Sequence, residues 1–292
     1  MNKEDLFLKI INETIEDNSY LGDDCAYIKD SGLLISHDTL YEDIHFSFDY
    51  FTPEALAKKA VLVNISDILS SGGVPLYITI SLSGNLDENF IKNFYSGINE
   101  IIKKYNIKLI GGDLTGGKKT VVSIAIIGKT TNPSSRKNAK KDYNLYLAGV
   151  HGSSAKGLEL LQKGIKDFEN EFIKAHIEPE LYPEISNALM NNTKDIYAMT
   201  DTSDGLFNAL DKIKKESGVG FNIQYDKILK RVNDKNLVLF GGEDFGLLIA
   251  VSKQDSKILD NLNVPKIGVV TDTKKIIVDN VEIVEDKSFN HF

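Results

Sequence analysis

The chain has 292 residues, 42% hydrophobic and 26% charged, an ordinary globular composition with length for one large or two ordinary cores. Its 34 basic and 42 acidic residues leave a net charge of −8, which argues against nucleic acid or an anionic membrane as main partner. A single cysteine, Cys25, excludes an internal disulfide and a cysteine-based zinc cage. No apolar stretch reaches the ~20 residues of a membrane helix, and no secretory core follows Met1-Asn2-Lys3-Glu4-Asp5, so a cytoplasmic protein is expected.

Leu6, Phe7, Ile10, Ile11 and Ile15 predict a helix over 4–16. Gly22-Asp23-Asp24-Cys25-Ala26 leads into a hairpin of Ala26 to Ile28 and Leu33 to Ser36, with Asp38 at its end. Tyr41 to Phe48 alternates loosely and contains His45, a residue type that serves structure as readily as function. Thr52-Pro53-Glu54 supplies an N-cap, a proline at the first helical position and a first-turn acid, so a helix runs from there to Ser70, where Ser71-Gly72-Gly73 stops it. Leu56, Ala60 and Val63 form its apolar stripe, and Asp67 falls on the continuation, where an acid is rarely buried without a partner.

Leu76 to Leu82 reads as a β-branched strand, and Asp87 caps a second helix carrying Phe90, Phe94, Ile98 and Ile101. Ile107–Gly112 and Thr120–Gly128 read as strands on either side of Gly111-Gly112-Asp113-Leu114-Thr115-Gly116-Gly117. That stretch reads as a sharp turn, holding either a solvated Asp or a polar ligand site at a strand end. The order β-β-α-β-α-β-β predicts an α+β or mixed α/β domain.

The polar, basic stretch 130–142 divides the chain into expected domains 1–135 and 136–292; it reads as a linker or as an arm reaching an anion. Beyond it, strand Leu145–Ala148, the turn Gly149-Val150-His151-Gly152-Ser153-Ser154 and a helix over 155–163 weakly suggest phosphate at a helix N-terminus, without P-loop spacing. Helices are expected at 169–175 and 183–192. Strand Ile196–Thr200 delivers Asp201, Ser203 and Asp204 ahead of an amphipathic stretch over 205–216. A strand over 236–240 delivers Gly241-Gly242-Glu243-Asp244, and strands at 246–251, 268–270 and 276–278 complete the second sheet.

Acids recur beside Gly or Ser after apolar runs, at Asp24, Asp38, Asp67, Asp113, Asp201, Asp204 and Glu243, almost none with a basic sequence neighbour. Carboxylates gathered without cations repel, so this pattern points to Mg²⁺ held among them with a phosphate ligand.

Gly22-Asp23-Asp24-Cys25-Ala26, Asp38-Thr39-Leu40 with His45-Phe46, Asn64-Ile65-Ser66-Asp67, Gly111-Gly112-Asp113, Ser203-Asp204-Gly205-Leu206, Gly241-Gly242-Glu243-Asp244-Phe245 and Asn290-His291-Phe292 resemble, in order, thiamine-monophosphate kinase of the aminoimidazole-ribonucleotide synthetase-like superfamily. The resemblance implies a two-domain α/β (α+β) fold, a homodimer formed through the N-terminal sheet, and ATP with several Mg²⁺ phosphorylating thiamine monophosphate. It places Asp24, Ser36, His37, Asp38, Asp67, Asp113, Asp201 and Asp204 at metal positions. Tyr95, Gly112, Asp113, Arg136 and Ser203 fall on ATP positions, and His45, Glu243 and Phe289 on thiamine-phosphate contacts. Asp38, Asp204 and Arg136 stand closest to the transfer itself. Three departures stand out: His37 for Thr or Ser, which leaves that metal contact to backbone, Leu114 for Thr, and Gly246 for Glu. Another ATP-dependent synthetase of the superfamily and a non-catalytic nucleotide- or metal-binding protein are the alternatives.

Overall fold

The computed structural model describes residues 3–288. After helix α1 (Lys3–Thr14), the N-terminal half runs β1 (Ala26–Ile28), β2 (Leu33–Tyr41), α2 (Pro53–Ser70), β3 (Val74–Gly84), α3 (Glu88–Lys104), β4 (Lys108–Gly116) and β5 (Val121–Lys129). Its strands form a five-stranded mixed sheet in the order β1-β2-β5-β3-β4. Period-2 alternation sends Leu34, Ile78, Ile80, Leu82, Val122, Ile124 and Ile126 to one face, where they pack under α2. The other face is open, and Ile35 and Tyr77 are exposed on it.

Helix α2 sits in the middle of the molecule. Thr52 caps it, accepting from the Ala55 N–H at 3.1 Å, and Pro53 opens it as expected. It packs on β2, β3 and β5, on α3, and on three elements of the C-terminal half. Accordingly 13 of its 18 residues are buried, including Lys59, Asn64, Ser66 and Ser70. A helix buried on every side normally reads as apolar all round, so these polar residues need internal partners.

The C-terminal half runs β6 (Asn144–Ala148), α4 (Ser153–Gln162), α5 (Glu171–Ile177), α6 (Pro183–Asn192), β7 (Ala198–Asp201), α7 (Leu206–Ser217), β8 (Gly220–Ile223), α8 (Lys235–Phe240), β9 (Leu247–Val251), α9 (Ser256–Asn261), β10 (Lys266–Thr271), β11 (Ile276–Val278) and β12 (Val281–Glu282). These strands make a seven-stranded mixed sheet, order β12-β11-β8-β10-β6-β9-β7, with a core on each face. The edge strand β7 and helices α5 and α6 lie against α2.

Three sequence expectations change. The Gly111-Gly112-Asp113 stretch is not a turn but the middle of edge strand β4, paired in parallel with β3. Register slips between Ile78 and Thr79, leaving Ile110 as an extra residue opposite them, so the paired glycines accompany a β-bulge. At Gly112 a Cβ would sit 2.0 Å from the Ile80 carbonyl oxygen, which explains the glycine without a ligand. Residues 236–240 form helix α8, capped by Asp234, which accepts the Asn236 N–H at 2.8 Å; an apolar run this short does not reveal its period. Finally, β2 extends past Ser36 to Tyr41, so Asp38 lies within the strand.

Helices α2 and α3 cross at Gly97, where a Cβ would meet the Glu54 carbonyl oxygen at 2.4 Å and Ala57 Cβ at 3.0 Å. Gly97→Ala is therefore expected to lower the unfolding free energy by about 1–3 kcal/mol through overpacking. Urea denaturation checks this; an unchanged midpoint contradicts so close a crossing.

Candidate active site between the two sheets

Three polar residues of α2 share one stripe: Lys59, Ser66 and Ser70 follow at i, i+7 and i+11, with Asp67 beside them. This stripe meets the C-terminal half. Ser66 Oγ donates to Asp201 Oδ2 at 2.7 Å, and Ser70 Oγ donates to Asp24 Oδ2 at 2.8 Å. From β2, Ser36 donates to Asp67, and the Asp38 N–H donates to Asn64 Oδ1 at 3.2 Å. One carboxylate oxygen from each of Asp24, Asp67 and Asp201 lies within 4.8 Å of the others.

That crowding is electrostatically costly. Burial, followed by the charges of Asp201, Asp204 and Asp24, pushes the Asp38 carboxyl up to about 6. Burial, then Asp24, does the same to Asp201, also to about 6, against the hydrogen bonds from Ser66 and Ser203. Asp67 is raised well above its ordinary value by burial and then by Asp38, Asp201 and Asp24. All-oxygen donors in an anionic, water-poor corner fit a hard divalent cation, which removes the repulsion.

The expectation that these acids lack basic partners fails at three of them, Asp24, Asp204 and Glu243. Arg136, just after the predicted linker, is bonded to Asp24; its Nε also donates to Thr200 Oγ1 at 3.2 Å and its Nη1 to the Gly22 carbonyl at 3.1 Å. Lys212 on α7 bonds Asp204 at 2.7 Å. Lys212 carried no sequence signal, because it falls on the polar face of an ordinary amphipathic helix.

These acids line a cleft of about 620 Å³ between the two halves. Asp24, Asp38, Asp67, Asp201, Ser203 and Asp204 face one part of it, and His45, Tyr50, Phe46, His176 and Glu243 also line it. His45 Nδ1 accepts the Tyr41 N–H at 3.0 Å, so the neutral ring carries its proton on Nε2. Glu243 is bonded to Lys59 at 3.0 Å and to His176 Nδ1 at 3.2 Å. Sequence reasoning missed Lys59 and His176. For Lys59 a signal existed, since it stands four residues before Val63 on a stripe that should be apolar.

The other predicted site residues lie elsewhere. Ser81 pairs with both Asp113 and Ser123, and Ser123 with Thr39, so Asp113 belongs to the open face of the sheet. Asp38 pairs with Ile124, whose side chain is buried under α2, and so belongs to the opposite face. The His37 ring is also on the open face, with Nε2 2.6 Å from Ser123 Oγ, although His37 itself borders the cleft. Gly112 and Tyr95 do not line the cleft, Arg136 stands behind Asp24, and Phe289 lies outside the described residues.

The turn after β6 is also occupied from within. Asp244 accepts the N–H groups of Gly152 at 2.6 Å and Ser154 at 2.9 Å, capping α4 where the sequence hinted at phosphate. The departure at Gly246 has a packing cause: a Cβ there would meet the Ala148 carbonyl at 2.3 Å and the buried His151 ring at 2.7 Å.

Two family profiles match in tandem: the AIR synthase related protein N-terminal domain over residues 22–130 and the corresponding C-terminal domain over 143–279. The thiamine-monophosphate kinase of Bacillus subtilis (strain 168) is 34% identical, with all of both chains covered. The chain belongs to the thiamine-monophosphate kinase family. It is a phosphotransferase of that family, with the two-domain mixed α/β fold expected. The thiamine-monophosphate kinase of Aquifex aeolicus (strain VF5) is 30% identical, over 98% of this chain and 96% of that one. A solved structure, AaThiL complexed with AMPPCP and TMP, superposes with a TM-score of 0.89 at 27% identity, covering 100% of this chain and 99% of that one. No helix among the described residues is long and apolar enough to cross a membrane.

Within the family, Cys25 is inert. It is buried, donates to the Asp67 carbonyl at 3.2 Å, and burial followed by the Asp67 charge pushes its thiol well up.

Without a cation the raised carboxyls oppose folding at neutral pH. A group held near 6 when folded and near 4 when unfolded contributes destabilisation that grows as pH rises between those values. Asp201→Asn removes one such charge, and in excess EDTA at pH 7 it is expected to raise the unfolding free energy by about 1–3 kcal/mol. A variant less stable than the parent under those conditions contradicts the crowding.

Proposed function

We propose that the chain transfers the γ-phosphoryl group of ATP directly to the phosphate of thiamine monophosphate, giving thiamine diphosphate and ADP, with Mg²⁺ held by Asp24, Asp67 and Asp201. The observation that carries this reading is the acidic cluster sharing one cleft with Glu243 and His45, in a chain of this family.

An oxygen of the acceptor phosphate forms a bond to the γ-phosphorus, and the bond from that phosphorus to the β,γ-bridging oxygen breaks in line with it. Such a transfer needs mainly positioning and charge neutralisation. The acceptor's second pKa is about 6, so at neutral pH it is largely dianionic and requires no general base. His45, held through Nδ1 by the Tyr41 N–H, lines the same cleft and brings a polar ring edge towards the acceptor. Bound Mg²⁺ would neutralise phosphoryl oxygens that the protein's own acids otherwise repel. Lys212 beside Asp204 supplies a fixed cation facing the same space. Arg136 orients Asp24 from behind.

The domain division is placed at 135/136, inside the polar stretch between the two family matches, and the enzyme is assigned to the cytoplasm. It is further read as a homodimer joined through the open face of the five-stranded sheet, where Ile35 is 38% and Tyr77 38% exposed. Asp113 and His37 then belong to the interface. Static light scattering should report about twice the chain mass at micromolar concentration; a monomer would overturn this assembly.

The reaction is tested by supplying ATP and Mg²⁺ with either thiamine or its monophosphate and separating the products by chromatography. Diphosphate should appear from the monophosphate alone, should vanish in EDTA, and should fall on the order of 10²-fold or more in Asp38→Asn. Phosphorylation of free thiamine, or of neither compound, would reject the reading.

A further inference from the structure

Lys59, on α2, is the most deeply buried cation beside the cleft, with no exposed surface. Its ammonium donates to the His176 carbonyl oxygen at 3.0 Å, lies 3.0 Å from Glu243 Oε1, and sits 5.4 Å from the centre of the Phe51 ring. An ammonium is taken out of water at this depth only when its donors are matched. The Glu243 side chain is the counter-charge, and it remains 30% exposed towards the cleft.

The backbone holds Glu243 there under strain. Its φ is 64°, left-handed for a residue with a Cβ, and Phe245 follows at 49°. Such angles persist where the surroundings over-determine them. Here the Glu243 N–H donates to the Ser203 carbonyl at 2.6 Å, Asp244 caps α4, and the Gly246 N–H donates to Thr202 Oγ1 at 2.9 Å. The second carboxylate oxygen meets His176 Nδ1 at 3.2 Å. His176 Nε2 is buried with no hydrogen-bond partner. Its Nδ1 also lies 3.1 Å from Ser154 Oγ, so that ring edge stands between this hydroxyl and the Glu243 carboxylate. One oxygen is thus braced by Lys59 and the other by His176, and the lone pairs left over face the cleft.

We infer that Lys59 is a positioning residue for substrate recognition: with His176 it holds the Glu243 carboxylate ionised and aimed at the cationic and amine-bearing heterocyclic part of the acceptor, not at its phosphate. The inference rests on the proposed acceptor, thiamine monophosphate, which carries a thiazolium cation and an aminopyrimidine. Lys59 touches neither substrate and acts only through Glu243. The ammonium and carboxylate come from different halves of the chain, so the recognition surface forms only when both halves are docked.

Steady-state kinetics separate this role from a merely structural one. Lys59→Gln keeps a donor and nearly the length of the side chain but removes the charge. It is expected to raise KM for thiamine monophosphate about 10- to 100-fold, the effect of losing one hydrogen bond to a charged group, while KM for ATP and kcat stay within about threefold. Lys59→Arg, which keeps the charge, should recover part of the loss. Lys59→Gln added to Glu243→Gln should raise KM no further than Glu243→Gln alone, because the ammonium then has nothing to orient. Free thiamine used as a competitive ligand should lose affinity by the same factor as the substrate in both single variants. If circular dichroism shows that the Lys59 variants do not fold, His176→Asn carries the test and should raise the same KM at least about threefold with kcat retained.

Unchanged KM for thiamine monophosphate in folded Lys59→Gln, additive effects in the double variant, or equal losses for ATP and acceptor would each overturn the inference while leaving the reaction intact. A parent protein that does not turn over thiamine monophosphate would overturn the reaction and this inference with it.

Discussion

Everything in the cleft depends on the repulsion among Asp24, Asp38, Asp67 and Asp201. Four segments and both halves of the chain contribute to that corner. Hydroxyls hold them: Ser36 for Asp67, Ser66 and Ser203 for Asp201, Ser70 for Asp24. A hydroxyl donates without neutralising. Asp24 alone has a fixed counter-charge, Arg136; the others are pinned in place without one, which suits the binding of a cation together with an anionic substrate.

Helix α2 is the means by which both halves take part. Its apolar positions fill the space above the first sheet, and its polar stripe crosses to β7 and α5. Lys59 and Ser66 lie almost two turns apart on that stripe, so the distance between the Glu243 end and the acidic end of the cleft is set by helical rise and not by a loop. A rigid element gives such a site its precision. The buried polar side chains at Lys59, Asn64, Ser66 and Ser70 would be destabilising on an isolated helix face, and each is satisfied by a named partner across the seam or along the helix.

Much of the site was legible in the sequence, and the unread parts have physical causes. Asp24, Asp67, Asp201 and Asp204 stood out because acids beside Gly or Ser after apolar runs are costly unless a ligand balances them, and the structure brings them to one cleft. Asp113 had the same local signature but lies on the opposite face of the sheet from Asp38, because strand alternation, not motif similarity, decides which way a side chain points. The glycines at 111 and 112 looked like a turn since bulges and turns ask for the same residue. The six-residue α8 imitated a strand. Lys59 and His176 were missed because their partners are far away in sequence, 117 residues in the case of the Lys59 ammonium and the His176 carbonyl. A contact made at that separation leaves no local periodicity to detect.

The cap that Asp244 places on α4 has a consequence for ligand selection. The strand, glycine turn and helix start at 145–155 form a surface that general electrostatics would make attractive to any free anion. Here a carboxylate from the chain itself is tethered beside those N–H groups, at 2.6 and 2.9 Å. A dissolved phosphate would have to displace a competitor whose effective concentration is that of a short tether, on the order of millimolar or above. The protein in this way plugs its own decoy. Orthophosphate and loose nucleotides meet one anion receptacle in this part of the molecule already filled.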